Sequence, residues 1–362
     1  MDLSSINPIL LLASLIVAAT PLLLAAIGEL VVERSGVLNL GVEGMMITGA
    51  ICGFAIAVNT GSPVLGLIAA AIGGAVLSLL FAILTQFALA NQVASGLALT
   101  LFGLGLSSLI GQGYQGVKPP PFPKPDIPLL SDIPVLGPIL FSHDFVVYLA
   151  FFLTLIVWAV LKYSRAGLIL RAVGENHDAA HALGYKVVRI RVLAIMFGGA
   201  CAGLGGAYIS LIRVPQWTEG MTSGVGWIAL ALVVFASWKP WRVMLGAGLF
   251  GGVSVLQLNL QAAGVQFPVS SIGAIIFGCS AFVLVLQFKN RKSPRSFRNA
   301  LFIGTAFIGL IFQVATRGIF VPFKVEYLAM SPYLITILVL VIMSADRSRA
   351  PASLGKGFHA GT

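Results

Sequence analysis

Long apolar runs, separated by short clusters of basic residues, glycine and proline, fill this chain from end to end. A helix of about 20 apolar residues crosses a bilayer core, and in lipid a helix satisfies every backbone polar group within its own segment. Such runs lie at 8–29, 38–58, 63–88, 92–113, 144–162, 192–213, 223–238, 243–260, 270–288, 300–320 and 328–345. The pattern predicts an all-α, polytopic membrane protein with about eleven transmembrane helices. The run at 223–238 is short and led by glycine, so a re-entrant or broken helix is expected there.

Composition agrees with the pattern. Of 362 residues, 58% are hydrophobic and 9% charged, where a soluble domain carries roughly 25% charged residues. The net charge of +10 suggests nucleic acid, but the basic residues sit in loops between apolar runs, as membrane topology requires. Alternating the spans puts the loops 162–191 and 289–298 on one side with Arg34, Lys239, Arg242 and the tail. That side holds 17 basic residues against five on the other, which predicts an outside N-terminus and a cytoplasmic C-terminus. Cys52, Cys201 and Cys279 all fall in apolar segments, so neither a disulfide framework nor a zinc site is expected. Met1-Asp2 offers no basic leader before the first run, which reads as a retained span. The loop 113–139 holds eight of the 18 prolines and should be stiff and extended, as a connector or a surface for an external partner.

Candidate chemistry is sparse. The glycines of GGACAGLGGAY, 198–208, follow no strand and carry no G-x-x-x-x-G-K-[ST], so they read as close helix packing rather than a phosphate cradle. HDAAH, 177–181, spaces two imidazoles for a metal, yet Asp178 stands where a zincin needs Glu and no third ligand is near. The surrounding RAVGENHDAAHALGYKVVRIRV, 171–192, predicts a short amphipathic helix in a cytoplasmic loop. Gly174 precedes it, Asn176 is its N-cap, Ala179 and Ala180 give a small face and Gly184 ends it. Such a helix suits insertion into another protein's groove; a surface helix packed across the bundle is the alternative.

ERSGVLNLGVEGMM, 33–46, is unusually polar for its surroundings. Asn39 and Glu43 are spaced to share a helix face, and a carboxylate at membrane depth seeks a cavity or a partner. The glycines allow a local break, as in the discontinuous helices of transporters. Glu33 reads instead as an interfacial residue beside Arg34.

This segment, together with NQVASGLALTLFGLGL (91–106), LRAVGENHDAAHALG (170–184) and GWIALALVVF (226–235), resembles permeases of bacterial ABC importers. The similarity is to the ribose and branched-chain amino-acid permease family, and within it to nucleoside (simple-sugar, basic membrane protein type) permeases. The resemblance implies a single transmembrane permease domain over 1–362, moving a small polar solute such as a nucleoside or simple sugar inward. It implies no enzymatic activity and no cofactor or metal on this chain, with ATP used by a partner ATPase. Further implied partners are a second permease chain, identical or not, an extracytoplasmic solute-binding protein and membrane lipid, in a bacterial inner membrane. It assigns the loop 164–190, with Gly174, Glu175, Asn176, Ala179, Ala180 and Gly184, to ATPase coupling. It places Asn39, Glu43, Asn91, Gln92, Thr100 and Trp227 in or near the solute pathway.

The chain departs from the family pattern at His177, where proline is usual, and at Thr100, where asparagine is usual. Residues 269–324 read as a two-helix insertion carrying the basic hairpin KNRKSPRSFR, which leaves about nine family helices. An ion-coupled secondary transporter also needs polar midplane groups and broken helices, and a membrane-embedded enzyme would rest on His143, His177 and His181.

Overall fold

The computed structural model describes residues 8–123, 133–262, 266–268, 305, 307–314, 316, 320–322, 330, 334, 337 and 350–358. The predicted span at 270–288 lies outside the described residues, as do all but three residues of 328–345 and about half of 300–320, within which 307–314 are helical.

Among the described residues, ten α-helices with defined ends follow in chain order: α1 (Pro8–Arg34), α2 (Val42–Thr60), α3 (Pro63–Ala82), α4 (Gln92–Gly111), α5 (Phe145–Tyr163), α6 (Arg165–Glu175), α7 (His177–Ala182), α8 (Val187–Tyr208), α9 (Val225–Phe235) and α10 (Pro240–Ala262). Among the described residues, seven helices are long and apolar enough to cross a membrane. Local chemistry sets their ends. Ser62, Asn91, Asp144, Ser164 and Asn176 each accept a backbone N–H in the first turn of the helix they precede. Pro63 and Pro240 open α3 and α10, where a missing N–H costs nothing.

Two boundaries differ from those predicted. The apolar run suggests that the first span ends near residue 29, yet α1 continues to Arg34. Its last two turns carry Glu29 and Glu33, both buried: Asn39 Nδ2 donates to Glu29 and the Trp238 indole N–H donates to Glu33. Glu33, beside Arg34 at the end of α1, is thus covered by protein rather than exposed. The second span, predicted from residue 38, becomes helical only at Val42.

α8 lies at the centre, against α1, α2 and α3. Its glycines make this possible. A Cβ at Gly206 would collide with the Met46 carbonyl of α2, and one at Gly203 with the Ala70 carbonyl of α3. The 198–208 run is thus a packing stripe, as its spacing suggests. Around it, Leu24, Ile27, Met45, Ile47, Ile51 and Phe54 form the closed core.

The described residues fall into two compact units, the larger holding 4–255 with 332–362 and the smaller 256–331. In the smaller unit, β1 (Gln266–Pro268) pairs antiparallel with β2 (Phe320–Pro322), with Pro268 opposite Phe320.

Candidate functional site

Residues 35–41 leave the helical path between α1 and α2. Gly36 turns the chain at φ +88°, a left-handed conformation that glycine adopts without strain. From there the chain runs back into the bundle, and its exposed backbone groups need partners. α4 supplies them. Gln92 Oε1 accepts from the Leu38 amide at 2.8 Å, and Thr100 Oγ1 donates to the Leu40 carbonyl at 3.1 Å. Asn39 completes the arrangement: its Oδ1 accepts from the Gly41 amide at 3.0 Å while its Nδ2 donates to Glu29 at 3.1 Å. Gly96 on α4 lets the stretch approach closely at Leu40 and Gly41, and Gly103 does the same for Gly44 of α2.

A second break faces this one. The chain between α8 and α9, 214–224, is non-helical, and α9 spans only Val225–Phe235. Eleven residues extend about 16 Å, roughly half of a bilayer core. The expected broken helix at 223–238 is therefore present. Its N-terminal turn meets α2: Glu43 accepts from Thr222 Oγ1 at 3.0 Å and from the Gly226 amide at 2.8 Å. A carboxylate at a helix N-terminus also complements the helix dipole. Four of the six residues expected on the pathway, Asn39, Glu43, Gln92 and Thr100, are buried in this junction. The other two, Asn91 at the start of α4 and Trp227 on α9, are exposed.

The predicted coupling segment is two helices rather than one. Asn176 ends α6 and N-caps α7, its Oδ1 accepting from the Ala179 amide at 3.0 Å. Gly184 reverses the chain at φ +86°. Asp178, Ala179, His181 and Leu183 are exposed, Leu183 by 75%. Ala180 is 2% exposed, so it does not offer its small side chain to a partner groove; it packs against Val173, Val187 and Phe358.

Phe358 belongs to a tail, 350–358, whose docking no local sequence signal announces. The Ser353 amide donates to the Gly174 carbonyl, Ser353 Oγ to the Glu175 carbonyl and the Gly355 amide to the Gly36 carbonyl. Arg191, fully buried, ties the three segments together. It donates to the carbonyls of Ser35 and Lys356 at 3.2 and 3.1 Å and approaches His177 Nδ1 at 3.3 Å. Both imidazoles of HDAAH stand edge-on to Phe358, with ring centroids 5.5 and 5.2 Å away. Burial, and then the Arg191 guanidinium, hold the His177 pKa below its ordinary value; Asp178 opposes them and Lys356 reinforces them.

A bundle of long apolar helices in which α9 is too short to cross a bilayer and is tied to α2 through Glu43 has the discontinuous kind of helix found in membrane transporters. Residues 11–344 match the family model described as branched-chain amino acid transport system / permease component, and the chain belongs to that permease family. It is 43% identical over 256 residues (70% of this chain, 78% of the relative) to a putative glucose ABC transporter permease protein, TsgC13, of Haloferax volcanii. It is 39% identical over 264 residues (70% and 82%) to the guanosine ABC transporter permease protein NupQ of Bacillus subtilis. It is 32% identical over 270 residues (72% and 84%) to the nucleoside ABC transporter permease protein NupC of Lactococcus lactis. No solved structure matches. The chain is thus a permease subunit of an ABC transporter, a multi-pass membrane protein that works with a separate ATPase and a second permease chain.

Proposed function

We propose that this permease carries a nucleoside, or a simple sugar, into the cell by alternating access. The printed activities of its relatives support that solute class. The observation that carries the mechanism is the Glu43 junction, where one carboxylate joins the first turn of α2 to that of the short helix α9. Such a joint lets α2 and α9 move together while the irregular stretches beside them flex. Asn39, Gln92 and Thr100 keep the break satisfied, and the exposed Asn91 and Trp227 face the solute.

In this reading the N-terminus is outside, α7 and the tail are cytoplasmic, and the ATPase grips the outward face of α7. An external binding protein delivers solute to a dimer of permease chains. Residues 269–324 are an insertion in the family fold; the β1–β2 ladder, which pairs the residues just before its start with residues near its end, supports that.

The test is uptake of labelled guanosine and glucose in cells that also express the partner subunits. Leu183→Asp puts a charge on the exposed end of α7, and uptake should fall at least about tenfold with unchanged permease in the membrane. Full uptake by that variant would remove α7 from the coupling. Full uptake in cells lacking any partner ATPase would overturn the mechanism.

A further inference from the structure

Beside the coupling helices lies a cavity of about 480 Å³ that the transport cycle leaves unexplained. It opens where α1 and α5 end, between α6 and the turn joining α9 to α10. Five cations line it: Arg34, Lys162, Arg171, Lys239 and Arg242. No carboxylate lines it, although Glu175 attracts Arg34 from outside the lining. Five cations around one cavity outnumber that carboxylate and repel one another, so the arrangement favours an anion.

The rest of the lining says which kind. Trp158, Trp238 and Trp241 share the cavity, and the rings of Trp158 and Trp241 meet at 5.8 Å. Tryptophan concentrates at the membrane–water boundary. Lys162 Nζ lies 5.1 Å from the Trp158 ring centre and 4.9 Å from that of Tyr163. Tyr163, Leu168 and Leu245, on the three helices around the mouth, are each more than 60% exposed. An anion with an apolar body suits such a rim.

The backbone is shaped for the cavity too. Ser237 and Trp238 both adopt left-handed conformations, at φ +50° and +54°, which is uncommon without glycine and is found where function requires it. Their turn aims the Trp238 carbonyl at Arg34, which donates to it from Nε at 3.3 Å and Nη2 at 3.0 Å. That holds the guanidinium in the wall and leaves Nη1 without a described partner.

We infer that this cavity binds the phosphate of an anionic phospholipid headgroup, with Arg34, Lys239 and Arg242 meeting the phosphate and the Trp158–Trp241 pair seated at the glycerol level. Basic pockets between spans at one leaflet hold such headgroups. Its placement in the cytoplasmic leaflet rests on the orientation proposed above; the binding itself does not. A lipid held here touches both α6, which leads into the coupling helix, and the end of the broken helix α9, so leaflet composition would bear on the moving parts.

The full-length permease, purified in detergent, is titrated with phosphatidylglycerol and with phosphatidylcholine and read by native mass spectrometry. Phosphatidylglycerol should remain bound where phosphatidylcholine does not. Lys239→Gln with Arg242→Gln should weaken its retention about thirtyfold, while Lys186→Gln with Arg189→Gln, exposed basic residues outside the cavity, leaves it unchanged. Thermal unfolding in phosphatidylcholine checks that the double variant is folded. If it is not, Lys239→Gln alone should weaken retention about fivefold. Equal loss in both pairs of variants, or equal retention of both lipids, overturns the inference. So does displacement by millimolar inorganic phosphate, which would make this a soluble-anion site. Because the assay uses neither uptake nor sidedness, its failure is separate from failure of the importer reading, which uptake decides, and of the orientation, which cysteine labelling of the tail decides.

Discussion

Glu43 sits on α2 yet completes α9, across 183 positions of sequence. Both carboxylate oxygens are engaged, one by a hydroxyl and one by an amide. In Glu43→Gln the amide nitrogen must face one of those donors, leaving a buried donor unpaired at a cost of about 1–3 kcal/mol. Glu43→Leu loses both bonds. The midpoint of thermal unfolding of the purified permease should fall in the order wild type, Gln, Leu, with uptake falling in parallel. A Leu variant as stable as the wild type but unable to transport would make the carboxylate a pathway group and not a joint. The spacing of Asn39 and Glu43 marks the stretch as special in the sequence, and its glycines mark it as irregular. The partners of Glu43 are not legible there, because Thr222 and Gly226 lie in a distant loop and the first turn of α9, with no pattern pointing back. Ala180 shows the opposite hazard: a small residue that suggests an external groove is small because Phe358 of the same chain covers it.

Among the elements, α7 is the most legible, since its cap and its stop are both local chemistry: Asn176 at one end, Gly184 at the other. The end of α1 is the least, because hydropathy counts Glu29 and Glu33 as breaks while Asn39 and Trp238 make them tolerable inside the bundle. α7 also has a pH dependence whose sign follows from its contacts. His177 Nδ1 is positioned to accept from Arg191, and protonation removes that acceptor and sets two cations face to face. A histidine whose folded pKa lies below its unfolded value, about 6.5, contributes stability above that value and loses it as pH falls through the folded pKa. The tail 350–358 should therefore become more accessible to protease as pH drops below about 6.5, and His177→Phe should flatten that dependence. A tail equally protected at pH 5 and pH 8 would show that Arg191 and the backbone bonds to Gly36, Gly174 and Glu175 hold it without the imidazole.

For the whole molecule, hydropathy alone is enough to give an all-α membrane bundle, because each span declares itself within its own residues. How the spans share a core is written in glycines such as Gly203 and Gly206, whose spacing shows a stripe but not which helix it meets. The proposed insertion is testable at this scale. Removing 269–324 should leave the tail on its original side, docked on α6 and α7, with measurable uptake retained. Labelling of a cysteine at position 354 from outside the cell would overturn both the insertion and the alternation of spans. The antiparallel register at Pro268 and Phe320 sets their Cα atoms about 5 Å apart. Two points 52 residues apart along the chain thus lie side by side, so the segment between them can change length without parting the two strands. A fluorescent domain with neighbouring termini could be spliced in at the same threshold.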